Sequence, residues 1–215
     1  MRQLWNKSDT APDLGRLGVY ARRRVPRPPR IAPAGSIFHL TARGNRRQAI
    51  FLDDDDRRWF LRQLADTVGK FRWTCHAYCL MGNHVHLLLE LRDENLSEGM
   101  QWLLGRYAQD FNWRHGYDGH LFQGRFKSET VESNWHLLEL SRYIVNNPVR
   151  ANLCETAADW PWSSYRAAVG TIRPPRFLTV EWLLEQFGHT ADARRESYAA
   201  FVTEAPAVIQ ARASP

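Results

Sequence analysis

Cysteine is scarce in this chain: three residues of 215, at positions 75, 79 and 154, with no CxxC pair. Cys75 and Cys79 fall in a strand-like run, where four residues span roughly 13 Å. That exceeds the roughly 4.4–6.8 Å between the Cα atoms of a disulfide. The odd count and the spacing exclude a disulfide scaffold or a zinc knuckle and suit free, buried thiols in a reducing compartment. Long apolar runs are missing as well. No stretch of about 18 apolar residues occurs, so no membrane span is expected. The Arg-rich beginning has no apolar stretch of the kind a secretory signal needs, and a cytoplasmic location is the expectation. There is no internal repeat.

Net charge is missing from most of the sequence. Residues 1–30 hold eight basic groups, Arg2, Lys7, Arg16, Arg22, Arg23, Arg24, Arg27 and Arg30, against Asp9 and Asp13, a surplus equal to the +6 of the whole chain. The remainder is balanced, so the basic character belongs to the opening segment. With Pro26, Pro28 and Pro29 it suggests a flexible cationic arm over 1–34, suited to a phosphate backbone or simply solvated.

Ordered structure is expected from about Gly35. Residues 36–43 (SIFHLTAR) alternate as a strand and run into a turn at Gly44–Asn45. The acidic run Asp53–Asp56 opens a helix over 54–69. Adjacent carboxylates on a helix diverge, so the run predicts capping and not a metal site. Strands at 71–80 (FRWTCHAYCL) and 84–91 (HVHLLLEL) form a hairpin through the turn 81–83. A helix follows over 96–114, with Met100, Leu103, Leu104, Tyr107 and Phe111 inward. Residues 120–131 (HLFQGRFKSETV) are strand-like but broken by Gly124. A helix over 133–147 is stopped by Pro148. The order β-α-β-β-α-β-α predicts an α+β fold: a ferredoxin-like split βαβ sandwich with an antiparallel sheet and an added C-terminal helix. One sheet face should be covered by helices and the other left open. Residues 150–170 are expected as an irregular wrap, and 179–188 and 191–203 as helices. The expected parts are the arm 1–34, a main domain 35–168 and a helical extension 169–215.

His84 and His86 are two apart on a strand, so both imidazoles point to one face. They could supply half of a divalent-metal site, although the spacing alone is equally that of two surface histidines. Tyr143 and Asn147 share a helical face at i and i+4, and an Asn oxygen can serve as a third ligand to Mg²⁺ or Mn²⁺. Asn147 could equally just end the helix before Pro148, and pattern alone does not single out Tyr143 among seven tyrosines.

The runs CLMGNHVHLLLE, QGRFKS, RYIVNNPVRANL and WPWSSY, with GSIFHLTARGNRRQAIF before them, resemble in order and spacing the single-tyrosine, His-hydrophobe-His transposases. They are most similar to the REP-associated tyrosine transposases of bacteria. The resemblance covers residues 35–168. It implies that His84 and His86 hold a metal and that Tyr143 is the nucleophile. Asn147 would be the third ligand, where insertion-sequence relatives carry Gln. Such enzymes recognise an imperfect hairpin in single-stranded DNA and cleave one strand as a 5′-phosphotyrosine, freeing a 3′-OH. A phenol ionises near 10 and is a poor nucleophile at neutral pH. A metal on the scissile phosphate withdraws charge and orients in-line attack. The tyrosyl ester keeps the phosphodiester energy for rejoining. His136 and Glu139 are the nearest candidates for a base.

Arg125 and Lys127 alternate onto one side of a strand, as phosphate contacts or as ordinary exposed charges; the resemblance favours the contacts, with Gln123 assisting. Arg43, Asn45, Arg46 and Arg47 follow the first strand and could grip the hairpin. Trp102, Arg106 and Trp113 could stack bases or pack in the core. His39 is expected as a packed or sheet-face residue, not a ligand. The rival readings are a domesticated hairpin DNA- or RNA-binding module without cleavage and a metal phosphoesterase using activated water. Monomer and homodimer are both compatible with the resemblance, as is association with the nucleoid during action.

Overall fold

The computed structural model describes residues 31–204. The basic segment 1–30, which is most of the expected arm, and residues 205–215 lie outside the described residues.

A four-stranded sheet is formed by β1 (Ile37–Arg43), β2 (Thr74–Leu80), β3 (His84–Glu90) and β4 (Lys127–Thr130). Its order is β2-β3-β1-β4, and every neighbouring pair is antiparallel. β1 and β2 therefore run the same way with β3 between them, the split βαβ arrangement. The expected ferredoxin-like α+β fold is the fold observed.

α1 (Asp54–Phe71) starts where Asp53 caps it, its carboxylate accepting from the Asp56 amide. Asp54, Asp55 and Asp56 fill the first turn, where negative charge meets the positive end of the helix. The acidic run is thus a cap. α1 continues to Phe71 and ends with Arg72 in the left-handed region (φ 56°), so β2 begins at Thr74 and not at 71. α2 (Leu96–His115) lies beside α1. Phe60 and Leu64 of α1, with Met100, Leu103 and Tyr107 of α2, cover Leu40, Tyr78, Val85, Leu87 and Leu89 of the sheet. Gly99 permits this approach, since a Cβ there would lie 2.2 Å from the Trp73 ring.

The opposite face departs from expectation, because it is not wholly open. α3 (Asn134–Val145) lays Leu137, Leu140 and Ile144 over Ala77, Cys79 and Leu88. These strand residues are apolar, so the β2–β3 half of that face needs cover. Only the β1–β4 side, with the start of β3, is left for polar groups. α3 also ends earlier than expected. Asn146 closes it, and Pro148 stands in the first turn of a short α4 (Asn147–Arg150), where its missing N–H costs nothing.

The fourth strand is shorter than the run 120–131. Gly124 adopts φ +116°, and residues 121–123 pair separately with the end of β1, through Gly44 and Phe122. Beyond α4, residues 160–164 run along the edge of β2, with Leu80 N donating to Trp162 O and Ser164 N to Tyr78 O. This is the expected irregular wrap, and it protects the sheet edge. A short α5 (Tyr165–Ala168), α6 (Glu181–Glu185) and α7 (Ala191–Thr203) follow. Leu183, Leu184, Tyr198 and Val202 from the last two join the main core. Among the described residues no helix is long and apolar enough to cross a membrane. The three cysteines are free, and burial pushes the Cys75 thiol up to about 12.

Candidate active site and metal centre

The register of β1 against β3 builds the site. Thr41 pairs with His86 and Arg43 with His84, while His39 lies opposite Leu88. On the other side Lys127 pairs with Thr41 and Glu129 with His39. Cross-strand partners share a face. His39, Thr41, Arg43, His84, His86, Lys127 and Glu129 therefore occupy one face, beside the edge of α3.

His86 is 4% exposed and His39 8% exposed. His39 Nε2 lies 2.9 Å from His86 Nδ1, and the two rings stack with centroids 5.2 Å apart. The other nitrogen of His86, Nε2, is buried and has no hydrogen-bond partner among the described residues. The His84 ring stands 4.9 Å from that of His86, and its Nδ1 lies 2.7 Å from Asn83 Oδ1. An amide oxygen can only accept, so His84 carries its hydrogen on Nδ1 and a lone pair on Nε2. Burial, then the charge of Arg43, lowers the pKa of His84 to about 4. Burial, then His39, His84 and Arg43, holds His86 well below the ordinary histidine range. Both rings are neutral at pH 7, the form that donates to a metal.

Tyr143 completes the group from α3. Its ring meets His86 edge-on at 5.7 Å and His39 at 6.0 Å between centroids. Asn147, one turn on, donates from Nδ2 to the Tyr143 carbonyl at 2.8 Å. That bond survives the break between α3 and α4 and leaves Oδ1 as the remaining donor atom. Among the described residues no group of three or more His, Cys, Asp or Glu could hold a metal ion. Two imidazoles in this site would need a ligand of another type, and Asn147 is of that type. The unpartnered Nε2 of His86 is the observation that fits the pair to a cation, because an orphaned buried nitrogen is otherwise costly.

The remaining expected residues lie at the same end of the sheet. Arg43, Asn45, Arg46, Arg47, Gln123, Arg125 and Lys127 are all exposed. Gln123 N donates to Arg43 O and Asn45 N to Leu121 O, which ties the two segments together. Arg46 and Arg47 hold positive φ, 53° and 61°, in a tight turn whose far side is fixed by Asn83 Nδ2 on the Arg47 carbonyl. The suggested bases are engaged elsewhere: Glu139 pairs with Arg142 at 2.5 Å, and His136 lies 3.6 Å from Glu129. Trp102 sits between Lys70 and Arg106, each 4.9 Å from its ring, and packs on the core, whereas Trp113 is 88% exposed.

Two contributors escape sequence reasoning. His39 is a partner of His86 and not a bystander, and its alternation with Thr41 and Arg43 was the available signal. Arg150 stacks its guanidinium 5.2 Å from the Tyr143 ring centre, the signal being a spacing of seven residues on one helical side. A cavity of about 480 Å³ opens beside Tyr143, Arg142 and Arg150.

Comparison with known proteins decides the family. The model of the IS200-like transposases matches residues 34–147. The chain belongs to this transposase family. A REP-associated tyrosine transposase assigned in Haemophilus influenzae is 26% identical to this IS200-like transposase over 138 residues, 56% of this chain and 78% of that one. A solved REP-associated tyrosine transposase, bound to a REP hairpin, superposes with a TM-score of 0.57 at 18% identity, covering 70% of this chain and 89% of that one. The likeness to the solved structure is one of fold. As an IS200-like transposase the chain is an enzyme of DNA transposition, as the motif resemblance implied.

Proposed function

We propose that this transposase cleaves and rejoins single-stranded DNA at a folded, REP-like hairpin, with Tyr143 as nucleophile. His84, His86 and Asn147 would hold Mg²⁺ or Mn²⁺, with residues 35–168 as the transposase domain. The observation that carries the reading is the packing of the Tyr143 ring against His86, whose Nε2 is buried and unpartnered.

When bound, the metal supplies charge withdrawal and orientation at the scissile phosphate. The protein supplies the rest. Tyr143 Oη attacks phosphorus as its proton leaves, the bond from phosphorus to the 3′ oxygen breaks, and that oxygen takes up a proton as the 3′-OH. The strand is left as a 5′-phosphotyrosine, and attack by a 3′-OH reverses the step without ATP. Arg150, stacked on the phenol, favours negative charge developing there. Arg43, Asn45, Arg46, Arg47, Gln123, Arg125 and Lys127 contact the DNA from the end of the sheet where His84 lies.

The test uses 5′- and 3′-labelled hairpin DNA with Mn²⁺. Wild type yields a denaturation-resistant protein–DNA adduct that carries the 3′ label, the fragment downstream of the break, while the 5′-labelled fragment leaves with a free 3′-OH; Tyr143→Phe yields no adduct. Equal cutting by both proteins would favour hydrolysis by activated water. Binding by both without cutting would leave a hairpin-binding module.

A further inference from the structure

The reading above gives no task to His39. It lies under the site, buried, with Nε2 at hydrogen-bond distance from His86 and Nδ1 turned towards a carboxylate. Nε2 is 2.9 Å from His86 Nδ1, and Nδ1 is 3.6 Å from Glu129 Oε2. Thr41 Oγ1 lies 3.3 Å from the same His86 nitrogen. Glu129 is itself placed between two imidazoles, its other oxygen 3.6 Å from His136 Nε2.

These contacts select one arrangement of hydrogens. A carboxylate only accepts, so the hydrogen of a neutral His39 belongs on Nδ1, facing Glu129. Nε2 of His39 then carries a lone pair and accepts from His86 Nδ1–H, as the Thr41 hydroxyl oxygen also can. His86 is left with a bare lone pair on Nε2, the atom that has no hydrogen-bond partner among the described residues. The reverse arrangement turns a lone pair of His39 towards a carboxylate and strands a buried N–H on His86, at a cost of roughly 1–3 kcal/mol for the unmade bond.

We propose that His39 is a positioning residue: through His86 Nδ1 it fixes the tautomer and ring angle that aim His86 Nε2 at the metal, with Glu129 holding His39 in turn. The proposal rests on the reading of His84 and His86 as the metal pair. Partners behind a metal-bound histidine commonly change metal affinity about 10–100-fold.

The experiment has two readouts on the full chain. The first is ¹⁵N NMR of the histidines without metal, in which wild-type His86 shows the Nδ1–H tautomer. Glu129→Gln, an exposed change whose amide can donate where the carboxylate could not, shifts the signal towards Nε2–H. The second is Mn²⁺ titration calorimetry. His39→Phe keeps a ring on His86 but offers no acceptor, and binds Mn²⁺ about 10–100-fold more weakly. His39→Gln restores an acceptor and recovers part of that loss, which a purely structural role would not produce. An Nε2–H tautomer in wild type overturns the proposal. So does wild-type Mn²⁺ affinity in His39→Phe while His84→Ala has lost it, and then the metal pair stands without its positioning residue. If wild type and His84→Ala bind Mn²⁺ alike, the metal reading falls and takes this proposal with it.

Discussion

Asp56, at the start of α1, and His86, inside β3, are both polar side chains almost wholly removed from solvent, and their surroundings differ in kind. Asp56 accepts from the Leu52 amide at 2.8 Å, from Arg114, and from His115 at 2.9 Å, while Tyr107 beside it donates to the Ile50 carbonyl. Both of its oxygens are used. His86 has one nitrogen held by His39 and Thr41 and the other buried with no hydrogen-bond partner among the described residues. A buried polar group that is fully paired is held at little cost, whereas an unpaired one reduces stability. The first arrangement serves the fold. The second is what a chain tolerates where something else is to be bound.

Breaking each cluster should separate these roles. The largest effect is expected from His86→Ala: adduct formation with hairpin DNA falls by about three orders of magnitude, the several kcal/mol a metal can contribute, while the protein stays folded, loss of the bond to His39 being offset in part by removal of the unpartnered Nε2. A variant that unfolds instead would place His86 with Asp56. Asp56→Ala should do the opposite. It strands the Leu52 amide and His115, costing about 2 kcal/mol in urea denaturation, with Mn²⁺ affinity measured by calorimetry unchanged below the melting point.

The order of elements, the cap at Asp53 and the shared face of His84 and His86 were legible because periodicity and local chemistry report on single elements. Tyr143 and Asn147 were legible as a pair for the same reason. Periodicity says which face a residue takes but not what lies across from it. The pairing of His39 with His86 depends on the register of strands 47 residues apart, so His39 looked like packing. Apolar residues on the site side of β2 and β3, Ala77, Cys79 and Leu88, were a sign that this face would be covered in part. Nothing local said that α3 would cover it. Likewise Pro148 could end a helix or open one, and only the downstream α4 decides.

Acid gives a smaller contrast. His84 has a folded-state value of about 4 against 6.5 for an ordinary histidine. The unfolded chain therefore binds more protons between those values, and stability falls as pH drops from 6.5 through 4. By the same shift, Mn²⁺ binding followed by calorimetry should persist to about pH 5, where a free imidazole is already protonated. Loss of binding at pH 6.5 would contradict a buried, neutral pair. The smallest effect is expected at the exposed rim: Lys127→Ala should weaken hairpin binding modestly and reduce the salt dependence of the affinity by about one ion or less, leaving melting unaffected.

The seating of α3 on its own sheet has a kinetic consequence. Tyr143 and the two histidines lie together in one polypeptide, and on the proposed reading, if Tyr143 acts within its own chain, two disabled copies have nothing to lend one another. An equimolar mixture of His86→Ala and Tyr143→Phe should remain as inactive as either variant alone. Turnover per molecule by wild type should be indifferent to dilution.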